Sequence, residues 1–114
     1  MAEPQQSPET WAEYLPTAEA AADNIDAVVR SGALAFNSGD YITAHADFAE
    51  AARMMAAVPD SPDGRFSDPL HKAAGFYDAA VTQLEGEFPL GAVNPILVAD
   101  SHLQEAAADL EAAR

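Results

Sequence analysis

The chain has no cysteine. That excludes disulfides, thiolate nucleophiles and cysteine-based zinc sites. It suits a cytoplasmic protein, although an exported chain whose leader has been removed would look the same. Basic residues are scarce, five Lys and Arg against 19 Asp and Glu, for a formal charge of −14. Nucleic-acid binding needs cations to neutralise phosphates, so direct binding is excluded. An anionic membrane repels the chain for the same reason. Aromatic residues make up 8%, so each large anchor carries weight. No apolar run reaches membrane-spanning length. The start, MAEPQQSPET, has neither a basic segment nor an apolar one and is not a signal peptide.

What is present is a helix-forming composition. Hydrophobic residues account for 49%, and much of that is alanine, which favours helix because its side chain loses no entropy there. The length fits one domain with a modest core. Residues 1–7 read as a mobile polar tail, and 8–114 as a single helical domain. The negative charge keeps an alanine-rich chain soluble and favours a basic partner.

Ser7, Pro8 and Glu9 give a cap, a first-turn proline and an acid at a helix start, and Pro16 stops the pattern. This predicts a short leading helix bearing Trp11, Tyr14 and Leu15. Thr17 is placed to cap a longer helix reaching Asn37, with Ile25, Val28, Val29 and Phe36 at helical spacing around Gly32. Glu19, Asp23, Asp26 and Arg30 form its polar row. After Gly39, the stripe Tyr41, Ala44, Phe48, Ala51 and Met55 predicts a helix to Ala57. The segment VPDSPDGRFSD reads as a loop. Ser67 or Asp68 before Pro69 opens a third helix, with Leu70, Ala73, Ala74, Tyr77, Ala80, Val81, Leu84 and Phe88 on one face, and Pro89 and Gly91 end it. Asn94-Pro95 opens a fourth, carrying Ile96, Ala99, Leu103, Ala106, Ala107 and Leu110. The expected fold is all-α: an antiparallel four-helix bundle built from hairpins 17–57 and 69–113, with a short extra N-terminal helix.

Residues 25–59 carry a further pattern. Gly32 supplies a small residue in the first helix, Gly39-Asp40 a turn, and Tyr41, Ala44, Phe48 and Ala51 the spacing of the second. This hairpin resembles a single tetratricopeptide repeat (TPR), whose helices cross closely where small residues meet. Val28, Ser31 and Ala56 depart from the family's usual tryptophan, leucine and proline. Hairpin 69–113 does not repeat the pattern. The resemblance implies protein or peptide binding rather than catalysis.

Residues fit for chemistry are dispersed. His45, His71 and His102 are too far apart in sequence to form a helical pair, so no metal ligand set is expected. His102 precedes Glu105 in the reverse of the Glu-x-x-His order of di-metal bundles. Asp60, Asp63 and Asp68 around Gly64 lack calcium-loop spacing. No nucleophile elbow, phosphate loop or dinucleotide motif appears. No catalytic residue and no cofactor is expected. Met54 and Met55 read as adaptable core. Trp11 either folds back over the bundle or anchors a partner.

Three readings follow. The first is a small acidic interaction module for a peptide, a helix or a basic protein surface, with Trp11, Tyr14, Asp40, His45 and Asp47 as partner-binding candidates. Its mark would be an exposed apolar groove rimmed by acids. The second is an acidic nucleic-acid mimic that blocks a basic protein, as some phage inhibitors do; it needs a regular double row of acids. The third is a bundle carrying a small apolar ligand between its hairpins. Self-association is compatible with each.

Overall fold

The computed structural model describes residues 10–114. The expected tail at 1–7 and the start signal at Ser7, Pro8 and Glu9 lie outside the described residues. Four α-helices follow one another: α1 (Trp11–Asn37), α2 (Tyr41–Ala56), α3 (Ser67–Glu85) and α4 (Val93–Ala113), with a 3-10 turn at Pro89–Ala92. The fold is an all-α bundle, with no strand among the described residues.

The separate leading helix is corrected. Residues Trp11–Asn37 form one helix with Pro16 inside it. Thr10, not Thr17, is the N-cap: its hydroxyl accepts from the Glu13 amide at 3.2 Å, and the Glu13 carboxylate accepts from the Thr10 amide at 3.0 Å. This reciprocal capping box satisfies two amides and starts the helix five residues before the proline. Pro16 cannot donate to the Ala12 carbonyl, a loss of about 3 kcal/mol in a helix interior. Ala12 and Pro16 both face solvent, so water reaches the freed carbonyl. Tyr14 and Ala18, on the inner face, are buried across the same stretch.

Successive helices run in opposite directions, as the contacts between their ends show. Tyr14, near the start of α1, meets Pro59 after the end of α2, and His45, at the start of α2, meets Glu85 at the end of α3. One end of the bundle, the turn end, therefore holds the α1–α2 turn and the α3–α4 connection. The other, the loop end, holds the 57–66 loop, the start of α1 and the end of α4. The turn after α1 needs Gly39 at φ 82, a left-handed value that costs glycine nothing.

α2 packs on α3 as extensively as each hairpin packs internally, whereas α1 and α4 meet over a small area. The result is an elongated body of 54 × 26 × 18 Å, open along the α1–α4 seam. The core runs through Tyr14, Ile25, Phe48, Met55, Phe66, Leu70, Tyr77, Leu84 and Leu110, with alanines between them. Phe48 stacks on Tyr77 at 5.3 Å between centroids. Tyr14 meets Trp11 and Phe66 edge-on.

Several expected positions shift. α3 begins after Phe66, and neither Ser67 nor Asp68 caps it. Ser61 does so from the loop: its hydroxyl accepts from the Phe66 and Ser67 amides, each at 3.3 Å, while Ser67 Oγ accepts from the Ser61 amide at 2.9 Å. α4 begins at Val93, so Asn94 lies inside it and is not the cap. Phe88 and Ala107, expected on inner faces, are exposed. α3 ends at Glu85, before Phe88, and the chain turns there. No helix among the described residues is long and apolar enough to cross a membrane.

Candidate functional site

The partner-binding candidates read from sequence do not form one site. Tyr14 is corrected: it is 1% exposed, and its hydroxyl donates to the Pro59 carbonyl at 2.5 Å, so it is a core residue. Its ring lies on the inner face of α1, beneath the loop. Trp11 is half-buried, packs on Tyr14 and donates its indole N–H to Asp63 at 3.3 Å. Both residues hold the 57–66 loop against the start of α1. Asp40 caps α2 by accepting from the Thr43 amide at 3.1 Å, and that bonding to Thr43 holds its carboxyl below the ordinary 3.8. Asp47 accepts from the Ser31 hydroxyl and so ties α2 to α1. His45 Nε2 lies 2.8 Å from Glu85, a link between α2 and α3.

The other histidines are also engaged. His71 contacts the Val58 carbonyl at 2.8 Å. His102 stacks on Phe76 with its Nδ1 3.5 Å from Glu105. Among the described residues, no three His, Asp or Glu side chains gather as a metal could use. Met55 is core and Met54 is half-buried.

Concave surface occurs elsewhere, along the seam where α1 and α4 diverge. Ala22 and Ile25 of α1, Phe66 and Leu70 at the start of α3, and Leu103, Ala106 and Leu110 of α4 line a groove of about 290 Å3. The floor is apolar because the inner faces of α1, α3 and α4 converge there, with Ile25, Leu70 and Leu110 each 3% exposed and Leu103 half-buried. The rim is charged: Asp23 and Asp26 stand on the α1 wall and Glu111 on the α4 wall. Arg114 bridges Glu111 at 2.6 Å and Glu19 at 3.2 Å, which joins the two walls at the loop end. Arg30 pairs with Asp26 at 2.9 Å.

The chain matches no family model, no curated protein and no solved structure. The groove is therefore interpreted from its own chemistry. It has an apolar floor and carboxylates on both walls. Such a trough can seat apolar side chains and attract cations beside them.

Sequence reasoning placed Ile25, Leu70, Leu103 and Leu110 in the core and did not see that they also floor a groove. A signal was present in part: Asp23 and Asp26 flank Ile25 in sequence, which sets carboxylates at the edge of the face that buries it.

Proposed function

We propose that this protein is a small acidic helical interaction module that receives an amphipathic helix of another protein in the α1–α4 groove. The observation that carries this reading is the apolar floor of Ile25, Leu70, Leu103 and Leu110 between walls bearing Asp23, Asp26 and Glu111. A helix with apolar residues at i, i+3 or i+4, and i+7 would fill the floor. Lys or Arg beside that stripe would meet the wall carboxylates, and the chain's −14 charge would speed encounter.

The α1–α2 hairpin supports the same reading as a single TPR-like unit. Gly32 lies against the Phe48 ring, and Tyr41 packs on Phe36 at 5.5 Å between centroids. The nucleic-acid mimic would use a charged surface without an apolar floor, so the groove favours the module. A volume of about 290 Å3 stands at the lower edge of the range for small-molecule sites, roughly 300–1,000 Å3, which disfavours a ligand carrier.

The test is site-specific photo-crosslinking in native lysate at Leu103, with exposed Thr82 as the control position, over a salt series. Crosslinks from Leu103 to a Lys- or Arg-bearing amphipathic helix, retained in part at high salt, are expected. Crosslinks no stronger than at Thr82 would overturn the reading. Capture of a nucleic-acid-binding protein that is wholly released by moderate salt would replace it with the mimic.

A further inference from the structure

The turn end of the bundle differs from the rest of the surface in two independent ways. It collects exposed large hydrophobics: Leu34 (72% exposed), Ile42 (86%), Phe88 (67%), Leu90, Val93 and Leu97. Leu90, Val93 and Leu97 are spaced three and four apart, so they form one stripe running from the 3-10 turn into α4. Ile42 and Leu84, with Tyr41 and His45, line a shallow, open hollow of about 260 Å3 between α2 and α3. His45, in its wall, lies 2.8 Å from Glu85, and from Glu85 the chain runs through Phe88 and Leu90 into the stripe. This is more apolar surface than scattered single residues would give.

The second difference is charge. The five cations are Arg30, Arg53, Arg65, Lys72 and Arg114, so none lies in 31–52 or 73–113. Arg53, Arg65, Lys72 and Arg114 all sit towards the loop end. Arg30 stands about 10 Å below the turn end along α1, at 1.5 Å per residue, and pairs away from it with Asp26. The turn end keeps Asp40, Glu85 and Glu87 without a Lys or Arg beside them in sequence. The turn end thus sets exposed apolar residues beside three acids with no Lys or Arg among them.

We propose that this end is a second docking surface, separate from the groove, for a partner protein's helix that carries apolar residues flanked by Lys or Arg. The apolar residues would enter the Ile42–Leu84 hollow and lie along the Leu90–Leu97 stripe, and the cations would meet Asp40, Glu85 and Glu87. A second copy of the chain is disfavoured as the occupant, because it would bring the same three acids against themselves.

The probe is a synthetic 18-residue Leu–Lys amphipathic peptide, titrated into the full chain and followed residue by residue by NMR. A Leu–Glu peptide of the same pattern is the control. Expected are shifts at Ile42, Glu85, Leu90 and Leu97, an affinity at least tenfold lower in the Leu90→Ser/Leu97→Ser double variant, and no binding of the Leu–Glu peptide. Both substituted side chains are exposed, so the variant keeps its fold, checked by its spectrum. Shifts confined to Ile25, Leu103 and Leu110 would overturn this proposal while leaving the groove reading intact. Equal binding of the Leu–Glu peptide would overturn it as well. So would sedimentation of the free chain as a dimer with broadened signals at Ile42, Leu90 and Leu97.

Discussion

Phe48 lies flat on Tyr77, ring centroids 5.3 Å apart and planes 15° from parallel, and Gly32 backs its other side. The ring joins α1, α2 and α3 at mid-height and is fully buried. Phe48→Ala should therefore cost about 3–5 kcal/mol, the usual toll for removing a buried aromatic. Denaturant melts check this; a loss below about 1 kcal/mol would be incompatible with its place in the core.

Two glycines should respond in opposite directions to the same change. A methyl group on Gly32 would come within 2.9 Å of the Phe48 ring, which cannot retreat because Tyr77 lies behind it. Overpacking costs about 1–3 kcal/mol, more than the helix-propensity gain of up to about 1 kcal/mol in most of that range. Gly75, exposed in the middle of α3, has nothing within 4 Å of an added methyl. Gly32→Ala should lower the unfolding midpoint, and Gly75→Ala should stabilise by about 0.5–1 kcal/mol.

The Ser61–Ser67 pair caps α3 from within the loop, and both residues are buried. Ser61→Ala would leave the Phe66 and Ser67 amides without that acceptor, at a cost of about 1–3 kcal/mol for a buried unsatisfied group. Ser101→Ala, on the exposed face of α4, is the control and should be close to neutral. Similar midpoints for the two variants would contradict the capping role.

Acid and alkali should act through different residues. Bonding to Thr43 lowers Asp40, and Arg53 lowers Glu50. For Asp63, partial burial raises the pKa, but bonds from Arg65 and Trp11 outweigh it and the net shift is downward. A depressed folded-state value gives stability that is present above the unfolded value and lost as pH falls through the folded one. Asp40→Asn keeps a capping oxygen but not the charge, so the wild-type advantage should begin to fade as pH falls below the ordinary aspartate value of 3.8 and vanish only below the depressed folded value. Urea melts of both proteins from pH 2.5 to 7 check this.

Tyr77 moves the other way. Burial, helped by the negative charge of Asp100, pushes its phenol well above the usual tyrosine range. Its contribution is fully present below the unfolded value near 10 and is lost as pH rises towards the folded value. The Tyr77 ring should stay protonated while the fold persists, and its NMR ionisation shift should coincide with alkaline unfolding. Ionisation of Tyr77 in a still-folded chain at pH 10 would contradict the burial argument.

Much of the architecture was legible in the residues. Apolar stripes such as Tyr41, Ala44, Phe48, Ala51 and Met55 have one helical solution, and Gly39 needed a left-handed turn. The start of α1 is written in the capping-box spacing of Thr10 and Glu13, which outweighs the break signal of Pro16. The Ser61 cap was not legible. It joins residues six apart through a folded loop, and local signals at Ser67 and Asp68 pointed to an ordinary cap.

The sequence by itself determined that the chain is helical, acidic and poor in cations, because periodicity, alanine content and charge are local or additive properties. It also made Phe48 and Tyr77 core residues, since each sits mid-stripe on its helix. Tertiary structure alone decided that Tyr14 is buried under the 57–66 loop and that Ile25 and Leu103 floor an open groove. It also decided that most of the exposed large apolar residues share the end farthest from most of the cations. An apolar stripe shows that a face will be covered, but not by which helix or how completely. Small alanine side chains let α2 and α3 pack tightly while α1 and α4 part, and the difference between a core and a groove lies in that separation.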